Sequence, residues 1–239
     1  MKELEDYSWF PPLLRNFQTE FIGFVVTTFN SYDVFVQYIK NLRLLPQSMT
    51  DLCCGSGEPA ISIFEKSKCF NHLSLSDKYP IAPKIQKESS SFDILTKDVL
   101  EMEFDKGTCY TMFNAFHHFQ DDEKIRIVLK IKNSGSRAFI VEILEPSIFC
   151  LLKIIFMTTI GVLLFTPFVR PFSLRRLFFT YLIPINVFTI SYDGVVSVFK
   201  SHSIKHYNDL FSDLDQTIKV FQLKSGFNNL TVIQIEQGR

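Results

Sequence analysis

The spacing of apolar positions changes period several times along this chain, and each change marks a predicted element. Phe17, Phe21, Phe24 and Val25 recur at helical spacing, and Val34, Val36, Tyr38 and Ile39 repeat it less cleanly. The chain therefore reads as helical from the Pro11-Pro12 break to about Leu45, where Pro46 closes the segment. Met49 to Cys54 forms a short apolar strand that runs into Gly55-Ser56-Gly57. Pro59 falls at the start of the next helix, whose apolar face is Ala60, Ile61, Ile63 and Phe64. Leu73 to Asp77 alternates as a second strand, a polar stretch from Lys84 to Ser91 reads as helix or loop, and a short third strand lies in Phe92 to Asp98.

Thr108 to Phe113 is a fourth strand, ending at Asn114. Asp121-Asp122 caps a helix with Ile125, Val128, Leu129 and Ile131 on its apolar face, and Gly135 ends it. Arg137 to Ile143 is a fifth strand. Alternating strands and helices argue for a parallel sheet covered on both faces. Two alternating segments, Thr217 to Leu223 and Leu230 to Glu236, close the chain as an edge hairpin joined through Gly226-Phe227-Asn228-Asn229, after an amphipathic helix over Ser203 to Leu214. The predicted fold is a three-layer α/β sandwich: a seven-stranded, mostly parallel sheet with an antiparallel C-terminal hairpin, plus a helical apolar insertion.

That insertion interrupts the rhythm between Pro146 and Tyr192. Phe149 to Val169 is apolar apart from Lys153 and a few hydroxyls, and is just long enough to span a bilayer. Leu177 to Tyr192 is a second run, broken by Pro184 and short for spanning. Lys153, Arg170, Arg175 and Arg176 stand at the edges, where long basic side chains reach headgroups. Three readings stay open: a lid over an apolar substrate, a monotopic hairpin in the membrane interface, and a spanning hairpin. The first two imply a lipophilic or membrane-resident acceptor. The expected organisation is a helical cap over 1–46, a Rossmann-like α/β domain from 47–145 and 203–239, and the insertion over 146–202.

Composition narrows the function. The 239 residues carry 25 basic and 25 acidic side chains, so there is no basic excess for a nucleic-acid backbone. The five cysteines are odd in number and form no CxxC pair, which suits reduced thiols. The N-terminus lacks a basic start followed by an apolar stretch, so no secretory signal is expected and the protein is assigned to the cytoplasmic side. The 26 phenylalanines fit a core, an apolar pocket or membrane contact equally well.

Chemistry concentrates at the ends of the first, second and fourth strands. A glycine turn after the first strand lets backbone approach a ligand, and an acid ending the second strand can accept bonds from ribose hydroxyls. Here those parts are Gly55, Gly57 and Asp77. Gly55-x-Gly57-x-x-Ala60 also satisfies the loose dinucleotide pattern, so a nicotinamide-dependent oxidoreductase is the rival. Asp51 inside the first strand and the terminal hairpin speak against it.

The run Asp51-Leu52-Cys53-Cys54-Gly55-Ser56-Gly57 resembles the first motif of the class I (Rossmann-like) S-adenosylmethionine-dependent methyltransferase family. The resemblance covers about Met49 to Ile143 and returns at the final hairpin. It implies S-adenosylmethionine (SAM) as cofactor, held by Asp51, Cys53, Gly55, Gly57, Asp77, Asp98, Val99 and Asn114. Asp77 matches the ribose acid, Asp98-Val99 the pair flanking the adenine, and Asn114 to Phe119 the motif beside the methyl donor. Glu58 departs from the pattern, since many members carry glycine or a small residue there.

The acceptor is expected to be a small, apolar molecule. Where a base is needed, His117, His118 and Glu142 are the candidates. No metal is expected, because neighbouring histidines diverge along regular structure and no third ligand is near in sequence. Trp9 and Phe10 are placed to cap the acceptor or to pack. A non-catalytic membrane-associated protein that keeps the nucleoside fold is the second rival.

Overall fold

The computed structural model describes residues 1–80, 92–214, 216–225 and 228–236. The polar stretch Lys84 to Ser91 and the Gly226-Phe227 joint lie outside the described residues. The strands β1 (Ser48–Leu52), β2 (His72–Asp77), β3 (Asp93–Thr96), β4 (Thr108–Phe113), β5 (Arg137–Glu142), β6 (Ile218–Ser225) and β7 (Asn228–Ile235) form one sheet in the order β3-β2-β1-β4-β5-β7-β6. Pairings from β3 through β5 are parallel, and β7 runs antiparallel to both β5 and β6.

This order has a physical consequence for function. From β1 the chain moves outward to β2 and β3, then returns to β4 on the other side. The carboxyl ends of β1 and β4 therefore part and leave a crevice. A dinucleotide fold would continue with a second parallel half, and β7 prevents that.

Central strands are buried on both faces, so they read as continuous apolar runs. In β5, Phe139 and Val141 pack with Phe35, Ile39, Ile63 and Leu73. Ala138 and Ile140 pack on the opposite face with Ile127, Val128, Tyr207 and Phe211. The first layer belongs to α2 (Asp33–Lys40) and α3 (Ala60–Ser67), the second to α4 (Asp121–Asn133) and α9 (Ile204–Phe211). The α4 cap differs from the expected Asp121-Asp122. Gln120 and Glu123 form a reciprocal capping box, and both aspartates occupy the first turn, where they favour the helix dipole.

The N-terminal helical segment divides in two. α1 (Pro12–Thr28) ends before Asn30, whose left-handed φ of 50° turns the chain into α2. The start of α1 fits the missing N–H of Pro12.

The insertion folds as helices. α5 (Ile148–Phe156) continues through a π-turn, Met157–Gly161, into α6 (Val162–Phe165), making a helical run from Ile148 to Phe168. α7 (Leu174–Leu177) leads through a second π-turn to α8 (Ile185–Lys200), with an 82° bend between the two halves. Gly194 lets α8 meet α5 closely: a Cβ there would lie 2.8 Å from Ile154 Cγ2 and 3.0 Å from Thr158 Cγ2. Ser191 Oγ donates to the Thr158 carbonyl at 3.0 Å, satisfying backbone at the π-turn.

Arg176 behaves differently from the expectation that it reaches headgroups. It is buried, and its Nη2 donates to Glu20 Oε2 at 2.6 Å while Nη1 donates to the Val169 carbonyl at 3.1 Å. The pair ties the insertion to α1.

Candidate functional site

The turn after β1 is built from left-handed residues. Cys53, Gly55 and Gly57 have φ of 56°, 52° and 92°, so the strand ends at Leu52, two residues before the expected end. The curl brings the Gly55 N–H onto Asp77 Oδ2 at 2.9 Å, and Asp77 Oδ1 accepts from the Tyr79 N–H at 2.7 Å. Each carboxylate oxygen keeps a free lone pair, so the half-buried Asp77 can still accept bonds from a diol. Gly57 donates to the Cys54 carbonyl at 2.8 Å and closes the turn. Thr19 of α1 covers the turn, 3.4 Å from a Cβ placed on Gly55. Glu58 Oε2 accepts from the Ser62 N–H at 3.2 Å, so this departure from the motif caps the first turn of α3.

Asp51 is buried, and Thr111 Oγ1 donates to its Oδ1 at 2.7 Å. Burial raises its pKa well above the usual carboxylate range, nearby Asp77 adds to that, and the Thr111 bond opposes it. Burial likewise raises the Cys53 thiol, which favours its neutral form over the thiolate. Asp98 accepts from the Leu100 N–H and from Lys78 Nζ, both at 3.0 Å. These bonds outweigh burial and lower its pKa. At the end of β4, Asn114 takes φ 51°, and its buried Oδ1 has no protein partner among the described residues. A ligand donor in the crevice would satisfy it.

Beyond Asn114 the chain enters a 3₁₀ turn, Phe116–His118. His117 Nδ1 bonds Glu142 Oε2 at 2.7 Å, and Glu142 Oε1 accepts from the Phe116 N–H at 2.7 Å. Burial raises the Glu142 pKa, but His117 and the Phe116 N–H outweigh it, so the net shift is downward. His118 Nδ1 bonds Asp6 Oδ1 at 3.1 Å. Burial would lower the His118 pKa, but Asp6, Glu3 and Glu5 lift it to about 9. In turn burial raises Glu5 to about 7, whereas His118 and Lys200 outweigh burial and bring Asp6 to about 2. The N-terminal segment is held over the site by Asp193, which accepts from the Leu4 N–H at 2.6 Å, the Glu5 N–H at 3.2 Å and Gln18 Nε2 at 2.7 Å.

All this surrounds one cavity of about 950 Å³. Asp51, Cys53, Gly55, Asp77, Asp98, Val99 and Asn114 line it, and so do His117 and His118. Gly57 and Glu142 stand behind the wall, acting through the turn and through His117. Glu3, Glu5, Asp6, Gln18 and Asp193 line it too, and sequence spacing gave no sign of them. Ile154, Met157, Ile190 and Gly194 add apolar surface from α5, the π-turn and α8, interleaved with Lys153, Thr158 and Ser197. Trp9 is 66% exposed and stacks on Tyr7, and Phe10 packs at 3% exposure, so neither caps the cavity. The volume is at the upper end of the range of about 300–1,000 Å³ that holds a drug-sized ligand.

No family model matches the chain. No curated protein matches it in sequence. Solved structures do match in fold. The plantazolicin methyltransferase in complex with S-adenosylhomocysteine (SAH) superposes with a TM-score of 0.54 at 13% identity, over 92% of this chain and 86% of that one. The pyocyanin biosynthetic protein gives 0.52 at 12% identity, over 86% and 54%. Human N-acetylserotonin methyltransferase in complex with SAM gives 0.50 at 15% identity, over 90% and 55%. The chain spans about half the length of the latter two. Strand order, glycine turn and these superpositions together give the chain the class I methyltransferase fold.

Proposed function

We propose that this protein is an enzyme that transfers a methyl group from SAM to a small, lipophilic acceptor taken from a membrane surface on the cytoplasmic side. One observation carries the reading: a single cavity joins the glycine turn and its two aspartates to an apolar wall from the insertion. The chain's own residues fit the cofactor. Asp77 keeps lone pairs for the ribose, Asp98-Val99 border the position of the adenine, and the unpartnered Asn114 Oδ1 suits the ammonium of the methionine part. In this division of labour 47–145 with 203–239 bind the cofactor, while 1–46 and 146–202 enclose the acceptor.

The sulfonium supplies a good leaving group, so the protein chiefly aligns the acceptor with the methyl carbon. Glu142 fixes the His117 ring through Nδ1 and leaves its Nε2 without a hydrogen-bond partner among the described residues, so of the three proton-handling candidates His117 is the one with a held ring and a free nitrogen.

The other face of the insertion supports the membrane part. A lid on a soluble enzyme would turn polar residues outward. Here Phe149, Phe156, Leu164, Phe168, Leu182 and Phe188 are each more than half exposed. Between Glu145 and Asp193 there is no acidic residue, while Arg170 and Arg175 are exposed away from the cavity. An apolar surface with only basic side chains fits the interface of an anionic bilayer.

Incubation with radiolabelled SAM and a bacterial or eukaryotic lipid extract tests the reading. Label in the organic phase supports it; label nowhere, with bound SAM intact, refutes catalysis on lipophilic acceptors. Flotation with vesicles tests the membrane part. Replacing Phe156 and Phe168 by Asp removes about 1.5–3 kcal/mol per side chain, so binding should weaken by about 10²–10⁴-fold.

A further inference from the structure

Two adjacent histidines make a poor metal site on a helix or strand, and no third ligand is near them in sequence. The fold removes both objections. The 3₁₀ turn sets the His117 and His118 rings side by side, with centroids 4.6 Å apart and 33° between planes. The N-terminal segment, pinned on Asp193, delivers Glu3 between them. Glu3 Oε1 lies 3.9 Å from His117 Nε2, and Glu3 Oε2 lies 3.5 Å from His118 Nε2.

We propose that Glu3, His117 and His118 form a binding site for one divalent transition-metal ion, of the zinc type, at the acceptor end of the cavity. One ligand atom from each of the three can be chosen so that all lie within 4.8 Å of one another. Ligands at about 2.0–2.1 Å from a tetrahedral zinc are roughly 3.3 Å apart, so the observed spacings close with small side-chain movements. Two imidazoles with a carboxylate suit a transition ion; calcium and magnesium prefer all-oxygen shells.

Three independent features support a ligand here. First, His117 Nε2 is buried with no hydrogen-bond partner among the described residues, although its ring is 1% exposed. A buried imidazole nitrogen left in this way needs an explanation. Second, the far nitrogen of each ring is held by a carboxylate: His117 Nδ1 by Glu142 at 2.7 Å and His118 Nδ1 by Asp6 at 3.1 Å. Such carboxylate–imidazole pairs are how proteins fix the tautomer and aim Nε2 at a metal. Third, Glu3, Glu5, Asp6 and Glu142 gather around the two rings, and Lys200 is the one ammonium bonded to this group among the described residues. Even with His118 counted as a cation the four carboxylates outnumber the two positive side chains, and a dication that displaces the imidazole proton balances that excess.

Glu3, His117 and His118 all face the cavity, and Glu5 stands beside them with Oε1 3.8 Å from His118 Nε2. Three protein ligands leave one position open, as in catalytic rather than structural zinc sites. That position faces the acceptor, so an oxygen-bearing acceptor, a hydroxyl or carboxylate amphiphile, is the class the ion would hold. With the ion present, His117 positions it and is not itself the base. A second cluster, Asp121, His202 and His206, also has ligand-like spacing. It is more open, and Lys124 Nζ already bonds Asp121 at 3.0 Å, so it serves as the control.

The test is titration of Zn²⁺ into the full chain in detergent, with Co²⁺ absorption as a second readout and SAH binding measured on the same samples. The inference predicts one tightly bound Zn²⁺ per chain and a tetrahedral Co²⁺ spectrum. E3Q and H118A should each weaken binding by at least about 10²-fold and E142Q by about 10–100-fold, while H206A leaves it unchanged. SAH binding by E3Q establishes that the variant is folded. Absence of saturable Zn²⁺ binding in the unaltered protein overturns the inference. So does wild-type affinity in E3Q and H118A, or loss confined to H206A. The site does not rest on the methyl-transfer reading: SAH bound without Zn²⁺ rejects only the metal, and Zn²⁺ bound without SAH rejects only the cofactor.

Discussion

Replacing Arg176 by Met tests how the apolar insertion is fastened to the α/β body. Its guanidinium is buried, donates to Glu20 Oε2 at 2.6 Å and to the Val169 and Pro171 carbonyls at 3.1 and 2.8 Å, and lies over the Phe17 ring. Forming such a pair gains little, because desolvation of both ions offsets their attraction. Breaking it is costly, since the buried Glu20 carboxylate loses its guanidinium. R176M should therefore destabilise the protein by about 3–5 kcal/mol, which lowers the melting temperature of a chain this size by about 6–10 °C. Removing both charges in E20M/R176M should recover most of that loss, because no ion is left buried. The assay is thermal and urea unfolding in mild detergent for both single variants and the double. Equal destabilisation by single and double variants would refute the reasoning. It would mean that Arg176 contributes packing and carbonyl bonds, not relief of a buried charge.

Two further perturbations bear on the cavity. D77A removes the acceptor of the Gly55 and Tyr79 N–H bonds together with both proposed ribose contacts. At the lower end of about 1.5–3 kcal/mol per bond to a charged group, losing the two ribose bonds weakens SAH binding by about 10²-fold; a change within about threefold by calorimetry contradicts the assignment. G194V forces side-chain atoms into the 2.8 Å approach to Ile154 and should cost about 1–3 kcal/mol in urea unfolding. Unchanged stability would show that α5 and α8 do not pack at this spacing.

Much of the sheet was legible because buried parallel strands are short apolar runs bounded by turns. Thr108 to Phe113 and Arg137 to Glu142 occupy the expected strand positions almost to the residue. Errors arose where local conformation overrides an apolar run: Cys53 looks like strand but takes a left-handed turn. The glycine turn and the aspartates around it were legible for the same reason, since they sit at strand ends that the alternation already marks. The meeting of the N-terminal acids with His117 and His118 was not. Leu4 and Asp193, or Glu3 and His117, meet across more than a hundred residues, and no periodicity encodes such a meeting. Arg176 misled in another way. In sequence it sits beside the exposed Arg175, and only its burial against Glu20 separates their roles.

The central claim is that the hollow between Gly55, Asp77 and Asp98 holds an adenosyl cofactor. Calorimetric titration of the detergent-solubilised protein with SAH, alongside NADH, measures it directly. The account predicts one saturable SAH site per chain and no heat from NADH. Saturable NADH binding, or a flat SAH titration on folded protein, would contradict it.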